Sequence, residues 1–150
     1  LKAYNCQVDI VGTDEDKIRL DKAMEMGINV VTLQDLAANN AKYDLVAECS
    51  GSQGGISTGL NAVRKGGKYI QVGISTKPVS IDFDSLVFKE LTVKGTFCHH
   101  YPTWERALQF ESMGILDVKP IITDTIPLEN WEEAINKLIA KEAIKVLLKM

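Results

Sequence analysis

Residues 44–55 read Asp44-Leu45-Val46-Ala47-Glu48-Cys49-Ser50-Gly51-Ser52-Gln53-Gly54-Gly55. Asp44 to Cys49 is a near-continuous apolar run, the pattern of a strand buried on both faces. A glycine-rich loop follows. Ile56, Leu60 and Val63 then recur at the i, i+4, i+7 spacing of a helix stripe, which Gly66-Gly67 is expected to end. Lys68 to Val72 reads as a second strand, stopping at Gly73. Strand, glycine turn, helix and strand in that order describe a parallel crossover, so the fold class is α/β.

The same alternation extends in both directions. On the N-terminal side, Gln7 to Val11 alternates like a strand and runs into Gly12-Thr13-Asp14-Glu15-Asp16. A helix carrying Ile18, Leu20, Ala23 and Met24 follows and is closed by Gly27. Asn29 to Thr32 is a short strand, and Leu33 to Lys42 a helical turn or loop. On the C-terminal side, Val79, Ile81 and Phe83 alternate and predict an edge strand, with one or two helical turns over Asp84 to Glu90. Thr92 to Thr96 reads as a strand and Pro102 to Met113 as a helix. After Lys119-Pro120 an extended stretch, a helix with Trp131, Ala134, Ile135 and Leu138 on one face, and a strand from Ile144 to Leu148 complete the chain.

Composition excludes several function classes. Among 150 residues, 17 Lys and Arg against 20 Asp and Glu give a net charge of −3. That argues against a nucleic-acid footprint or a polybasic membrane patch, both of which need clustered Lys and Arg. The 45% hydrophobic and 25% charged content is that of a globular chain. No apolar run approaches the about 20 residues that span a bilayer. Cys6, Cys49 and Cys98 are odd in number and match no zinc spacing, so a reduced chain and a cytoplasmic location are expected, with Cys49 and Cys98 as small buried hydrophobes. The sequence opens on Leu1 and reads as a piece of a longer protein.

In open parallel sheets, ligands bind outside the carboxyl ends of strands. Asp14 stands at such an end. An acid there can accept both hydroxyl hydrogens of an adenosine ribose and repels a 2′-phosphate, favouring NAD over NADP. Thr13 or Asp14 would equally cap the following helix, and Glu15 and Asp16 suit the positive end of its dipole. Ser50-Gly51 forms the next turn, where glycine would let backbone approach a ligand. Glu48 must be paired or protonated to sit inside an apolar run, and an ion pair is one way. Val72-Gly73-Ile74 and Thr96-Phe97-Cys98 are the remaining strand ends. His99-His100 has no ligand-spaced partner and reads as structural.

Several strings in fixed order resemble the zinc-dependent medium-chain alcohol and polyol dehydrogenases, in their sorbitol dehydrogenase-like branch. They are Thr13-Asp14-x4-Arg19-Leu20-x-Lys22-Ala23-x-Glu25-x-Gly27, Tyr43-Asp44-x3-Ala47-Glu48-Cys49-Ser50-Gly51, Arg64-Lys65-Gly66-Gly67-Lys68 with Val72-Gly73, Lys89 to Phe97, and Val118 to Thr123. The resemblance implies a Rossmann-like doubly wound parallel sheet, here without its first strand and glycine-rich loop. Two half-sheets with unpaired inner edges would then remain. It divides the chain into a partial NAD-binding domain, 1–118, and a segment, 119–150, that in relatives packs back on the catalytic domain.

The activity implied is NAD-dependent oxidation of a polyol or secondary alcohol, with zinc in the parent enzyme and its ligands outside this chain. The family's ribose acid falls on Asp14 and its adenosine-side arginine on Arg19. Its nicotinamide-lining backbone falls on Val72, Gly73, Ile74, Thr96, Phe97 and Cys98, beside the Ser50-Gly51 turn. Cys98 stands where sorbitol dehydrogenases commonly carry Arg. The resemblance assigns no catalytic or metal residue to this chain, which is expected to be inactive alone. It implies a homo-oligomer through the Val79–Phe83 region. Two alternatives stay open: a non-catalytic truncated domain that self-associates and binds no nucleotide, and an S-adenosylmethionine methyltransferase, whose pattern the Glu-Cys-Ser-Gly turn does not match.

Overall fold

A computed structural model describes residues 1–38 and 40–150. In chain order the strands are β1 (Asp9–Ile10), β2 (Asn29–Val30), β3 (Tyr43–Glu48), β4 (Val63–Gln71), β5 (Thr92–Gly95), β6 (Ile122–Pro127) and β7 (Lys145–Lys149). The helices are α1 (Lys17–Glu25), α2 (Leu33–Ala38), α3 (Gln53–Ala62), α4 (Phe83–Phe88), α5 (Tyr101–Ser112) and α6 (Trp131–Ile139). Among the described residues every strand pairing is parallel, in sheets ordered β1-β2, β3-β4-β5 and β6-β7. The expected pair of half-sheets is therefore present as β1-β2 and β3-β4-β5.

Two compact units divide the chain. One comprises Leu1–Thr32 with His100–Met150, the other Leu33–His99. In the second, Ile56 and Leu60 on α3 pack with Tyr69 of β4, against Val46, Val79, Leu86 and Leu91. Gly59 makes that packing possible: a Cβ there would stand 3.0 Å from the Tyr69 ring and 3.2 Å from Val46. In the first unit, Ala23, Ile126, Ala134 and Ala143 are buried. The rings of Tyr4 and Phe110 meet edge to face at 5.5 Å.

The structure departs from the sequence expectations at five places. Strand β3 is not buried on both faces: Asp44, Leu45 and Ala47 are exposed. Helix α3 ends at Ala62, before the glycine pair, and Val63 already belongs to β4. The cause lies outside the segment. The Lys89 ammonium donates to the carbonyls of Leu60, Asn61 and Val63 at 2.9, 2.8 and 3.1 Å, finishing the helix there. The Val79–Phe83 stretch is not a strand. Asp82 accepts from the amides of Asp84 and Ser85 and so starts α4 at Phe83. The Ser80 backbone is taken up by Gln53, whose side chain donates to its carbonyl and accepts from its amide, both at 2.7 Å.

The first strand contracts from Gln7–Val11 to β1, matching its two-residue partner β2. Cys49 and Cys98, expected to be buried, are exposed, as is Cys6. Those at 49 and 98 sit just past strand ends, where the core stops. On α6, Ala134 is buried while Trp131, Ile135 and Leu138 remain partly exposed.

Candidate functional site

Within the Leu33–His99 unit, the parallel order β3-β4-β5 brings three turns to one end of the sheet. They are Ser50-Gly51, Val72-Gly73-Ile74 and Thr96-Phe97-Cys98. The first two are in backbone contact. Gly51 has φ +68°, and a Cβ on it would lie 2.5 Å from the Ile74 carbonyl carbon and oxygen. A Cβ on Gly73 would lie 2.1 Å from the Gly51 nitrogen. Glycine at these positions is thus demanded by the neighbouring turn, a reason different from the ligand approach expected of Gly51. Thr96 joins the row through its amide, 3.0 Å from the Gln71 carbonyl. Cys98 has φ +54°. Val72, Ile74 and Phe97 leave large apolar side chains exposed at this end.

Glu48, at the end of β3, is 6% exposed. It is not held by an ion pair. Its carboxylate accepts from the Ser50 amide at 2.8 Å, the Gly51 amide at 2.9 Å, the Gln71 side-chain amide at 2.6 Å and the Ser50 hydroxyl. Burial pushes this carboxyl up, but the donors from Ser50, Gly51 and Gln71 outweigh it and hold the group below its ordinary value. Burial, then the Glu48 charge, push the Cys49 thiol and the Tyr69 hydroxyl up. Tyr69 in turn donates to the Gln71 side-chain carbonyl at 2.8 Å. Ser52 caps α3 by accepting from the Gly55 amide at 3.0 Å.

Asp14 and Arg19 belong to the other unit. The cap of the β1–α1 turn is made by Thr13 and Asp16, not Asp14. The Thr13 amide and hydroxyl donate to the Asp16 carboxylate at 3.1 and 2.9 Å. Asp16 also accepts from Arg19 at 3.0 Å. The Thr13 donors lead in lowering its pKa. Glu15 pairs with Lys141 at 2.8 Å. Of the three consecutive acids, Asp14 alone has no hydrogen-bond or ion-pair partner among the described residues, and it is exposed.

Sequence reasoning missed Gln71, Ser52 and Asp16. Gln71 had a signal: a buried Glu48 needs donors, and Gln71 is a polar side chain inside the adjacent strand. Asp16 could have been found from the Thr13-x-x-Asp16 spacing of a capping box.

Among the described residues no three His, Cys, Asp or Glu side chains converge where they could hold a metal ion. Nor is any helix among them long and apolar enough to cross a membrane.

The family model described as zinc-binding dehydrogenase matches residues 1–112. A sorbitol dehydrogenase of Halalkalibacterium halodurans is 31% identical over 157 aligned positions, covering 98% of this chain and 46% of the relative. The chain therefore spans about half the length of the curated relatives it matches. Among solved structures, an alcohol dehydrogenase from Escherichia coli CFT073 in complex with NADH superposes with a TM-score of 0.84. Its identity is 21%, covering 100% of this chain and 47% of that one. A zinc-binding dehydrogenase from Sinorhizobium meliloti bound to NADP gives a TM-score of 0.82 at 22% identity, covering 96% and 45%. At these identities the superpositions establish the fold, a Rossmann-like parallel α/β arrangement.

Proposed function

The chain belongs to the zinc-binding dehydrogenase family, and from that premise we propose that it is the cofactor-binding portion of an NAD(H)-dependent oxidoreductase acting on a polyol or secondary alcohol. The observation that carries this reading is Asp14. The capping role that competed for it is filled by Thr13 and Asp16, which leaves an exposed carboxylate with no partner among the described residues. Such an acid receives the two hydroxyls of an adenosine ribose and disfavours a 2′-phosphate. Arg19, anchored on Asp16, lies on the same turn-to-helix segment and serves the adenosine side.

A bound nicotinamide supplies hydride transfer. The chain's part is to receive its ring. Val72, Gly73 and Ile74, with Thr96, Phe97 and Cys98, line that side next to Ser50-Gly51. Their exposed apolar side chains suit a flat ring face. Among the described residues no side chains fit a zinc site, so no step through that metal is assigned to them. On this reading the 150 residues bind the dinucleotide and, alone, turn over no alcohol. Residues 1–118 form the nucleotide-binding part and 119–150 the segment that packs against the alcohol-binding part. The location is the cytoplasm, and no nucleic acid or membrane is a partner.

Titration of the purified chain with NADH and with NADPH, followed by nucleotide fluorescence, tests the reading. Saturable binding of NADH, tighter than NADPH, is expected. Asp14→Ala should weaken NADH binding and narrow the preference. Binding of neither nucleotide, or an unchanged preference in the variant, would refute it.

The second reading, self-association, has its own support in Ile81, Phe83, Val87 and Phe88, which are exposed around the start of α4. A homo-oligomer through this region would cover them. Sedimentation of the chain and of Phe83→Lys tests that: the variant should dissociate, and a monomeric wild type would end the idea.

A further inference from the structure

Glu48 is a buried carboxylate for which the reading above has no use. Its connections are selective. Its backbone carbonyl accepts two amides of the β4 turn, Val72 at 2.8 Å and Gly73 at 2.9 Å. Its carboxylate accepts two amides of the β3 turn, Ser50 at 2.8 Å and Gly51 at 2.9 Å. The Gln71 side-chain amide, which donates to that carboxylate at 2.6 Å, also donates to the Gly73 carbonyl at 2.8 Å. One residue therefore holds four of the candidate cofactor-facing residues through their amides.

We infer that Glu48 is the positioning residue of the nicotinamide side: it fastens the Ser50-Gly51 turn to the Val72-Gly73 turn so that both present one fixed surface. The inference rests on the proposed cofactor reading and deepens it. Three facts separate it from a general structural role. The carboxylate's contacts go to the ends of β3 and β4, not to the body of the sheet. The two turns interlock through Gly51 and Gly73 without space for a methyl group, so displacing one displaces the other. The carboxylate is itself held in register by a relay, Tyr69 hydroxyl to Gln71 to Glu48, that reaches into the core cluster. Glu48 touches no ligand on this account.

Glu48→Gln tests the role in the full 150-residue chain. It keeps the volume and turns one acceptor into a donor that faces Ser50, Gly51 or Gln71. Circular dichroism establishes that the variant folds. Backbone amide exchange at Ser50 and Gly51 should speed up. NADH affinity, measured well below the melting midpoint, should fall about tenfold or more, with loss of the emission shift of bound NADH. A variant that exchanges faster at both amides yet binds NADH as wild type does would overturn the positioning role and leave the cofactor reading standing. A wild-type chain that binds no NADH would overturn both, whatever the exchange shows. Should Glu48→Gln not fold, Gln71→Met withdraws one donor from the same carboxylate. Weakened NADH binding by that variant supports the role, and unchanged binding overturns it.

Discussion

Gly73 stands so close to Gly51 that a Cβ on it would lie 2.1 Å from the Gly51 nitrogen, 2.7 Å from the Ser50 carbonyl carbon and 2.8 Å from that of Cys49. All three neighbours are backbone, so none can swing away. Gly73→Ala should therefore destabilise the chain by about 3 kcal/mol, through separation of the two turns. Gly54→Ala is the matched control. Nothing lies within 4 Å of a Cβ there, and the position is helical. It should stabilise by about 0.5 kcal/mol. Urea denaturation of both variants checks the contrast.

Lys89 closes α3 across a long stretch of sequence. Its ammonium donates to the Leu60 and Asn61 carbonyls in the last turn of the helix and to the carbonyl of Val63, the first residue of β4. Burial pushes its pKa down, yet no carboxylate is needed, since carbonyls at a helix C-terminus carry partial negative charge. Lys89→Met keeps the stem and removes the donors. It should cost about 2 kcal/mol in denaturant unfolding. An unchanged midpoint would show that water replaces the cap without loss.

Acid should weaken the fold through two carboxylates. The Glu48 value is held below 4.5 and the Asp16 value below 3.8 in the folded chain. The folded state then binds fewer protons than the unfolded one in this range. The stabilisation is fully present above the ordinary values and is lost as pH falls through the folded ones. Stability measured in urea should fall as pH drops below about 5. Glu48→Gln, which removes one of the two groups, should flatten that decline.

Tyr69 is buried in the cluster with Ile56 and Leu60, and its hydroxyl donates to Gln71 at 2.8 Å. Burial and then the Glu48 charge push that hydroxyl up, so it stays protonated and remains a donor. Tyr69→Phe leaves the ring in place and strands the Gln71 carbonyl oxygen. A loss of about 1 kcal/mol is expected from thermal or denaturant melts. The double variant Tyr69→Phe, Glu48→Gln should lose less than the sum of the two, because both act through Gln71.

Much of this protein is legible in its sequence because the signals are local. The apolar run from Asp44, the glycine loop and the Ile56–Leu60 spacing correspond to β3, the turn and the body of α3, though not to the end of that helix. Asp14 was legible as an acid at a strand end, though not as the one of three acids without a partner among the described residues. That outcome needed Thr13 to choose Asp16, and Lys141, far along the chain, to take Glu15.

What the sequence by itself determined is the order of strands and helices and the family they belong to, since period, glycine placement and short motifs are properties of neighbouring residues. The tertiary structure alone decided where α3 stops, because Lys89 caps it. It decided that Val79–Phe83 is not a strand, because Gln53 takes up the Ser80 backbone and Asp82 starts a helix. It also decided that Glu48 is held by amide and hydroxyl donors rather than by an opposite charge. Lys89 with Leu60, Gln53 with Ser80 and Gln71 with Glu48 are contacts between residues distant in sequence, which no local pattern reports, and the buried Glu48 must find its donors wherever the fold supplies them.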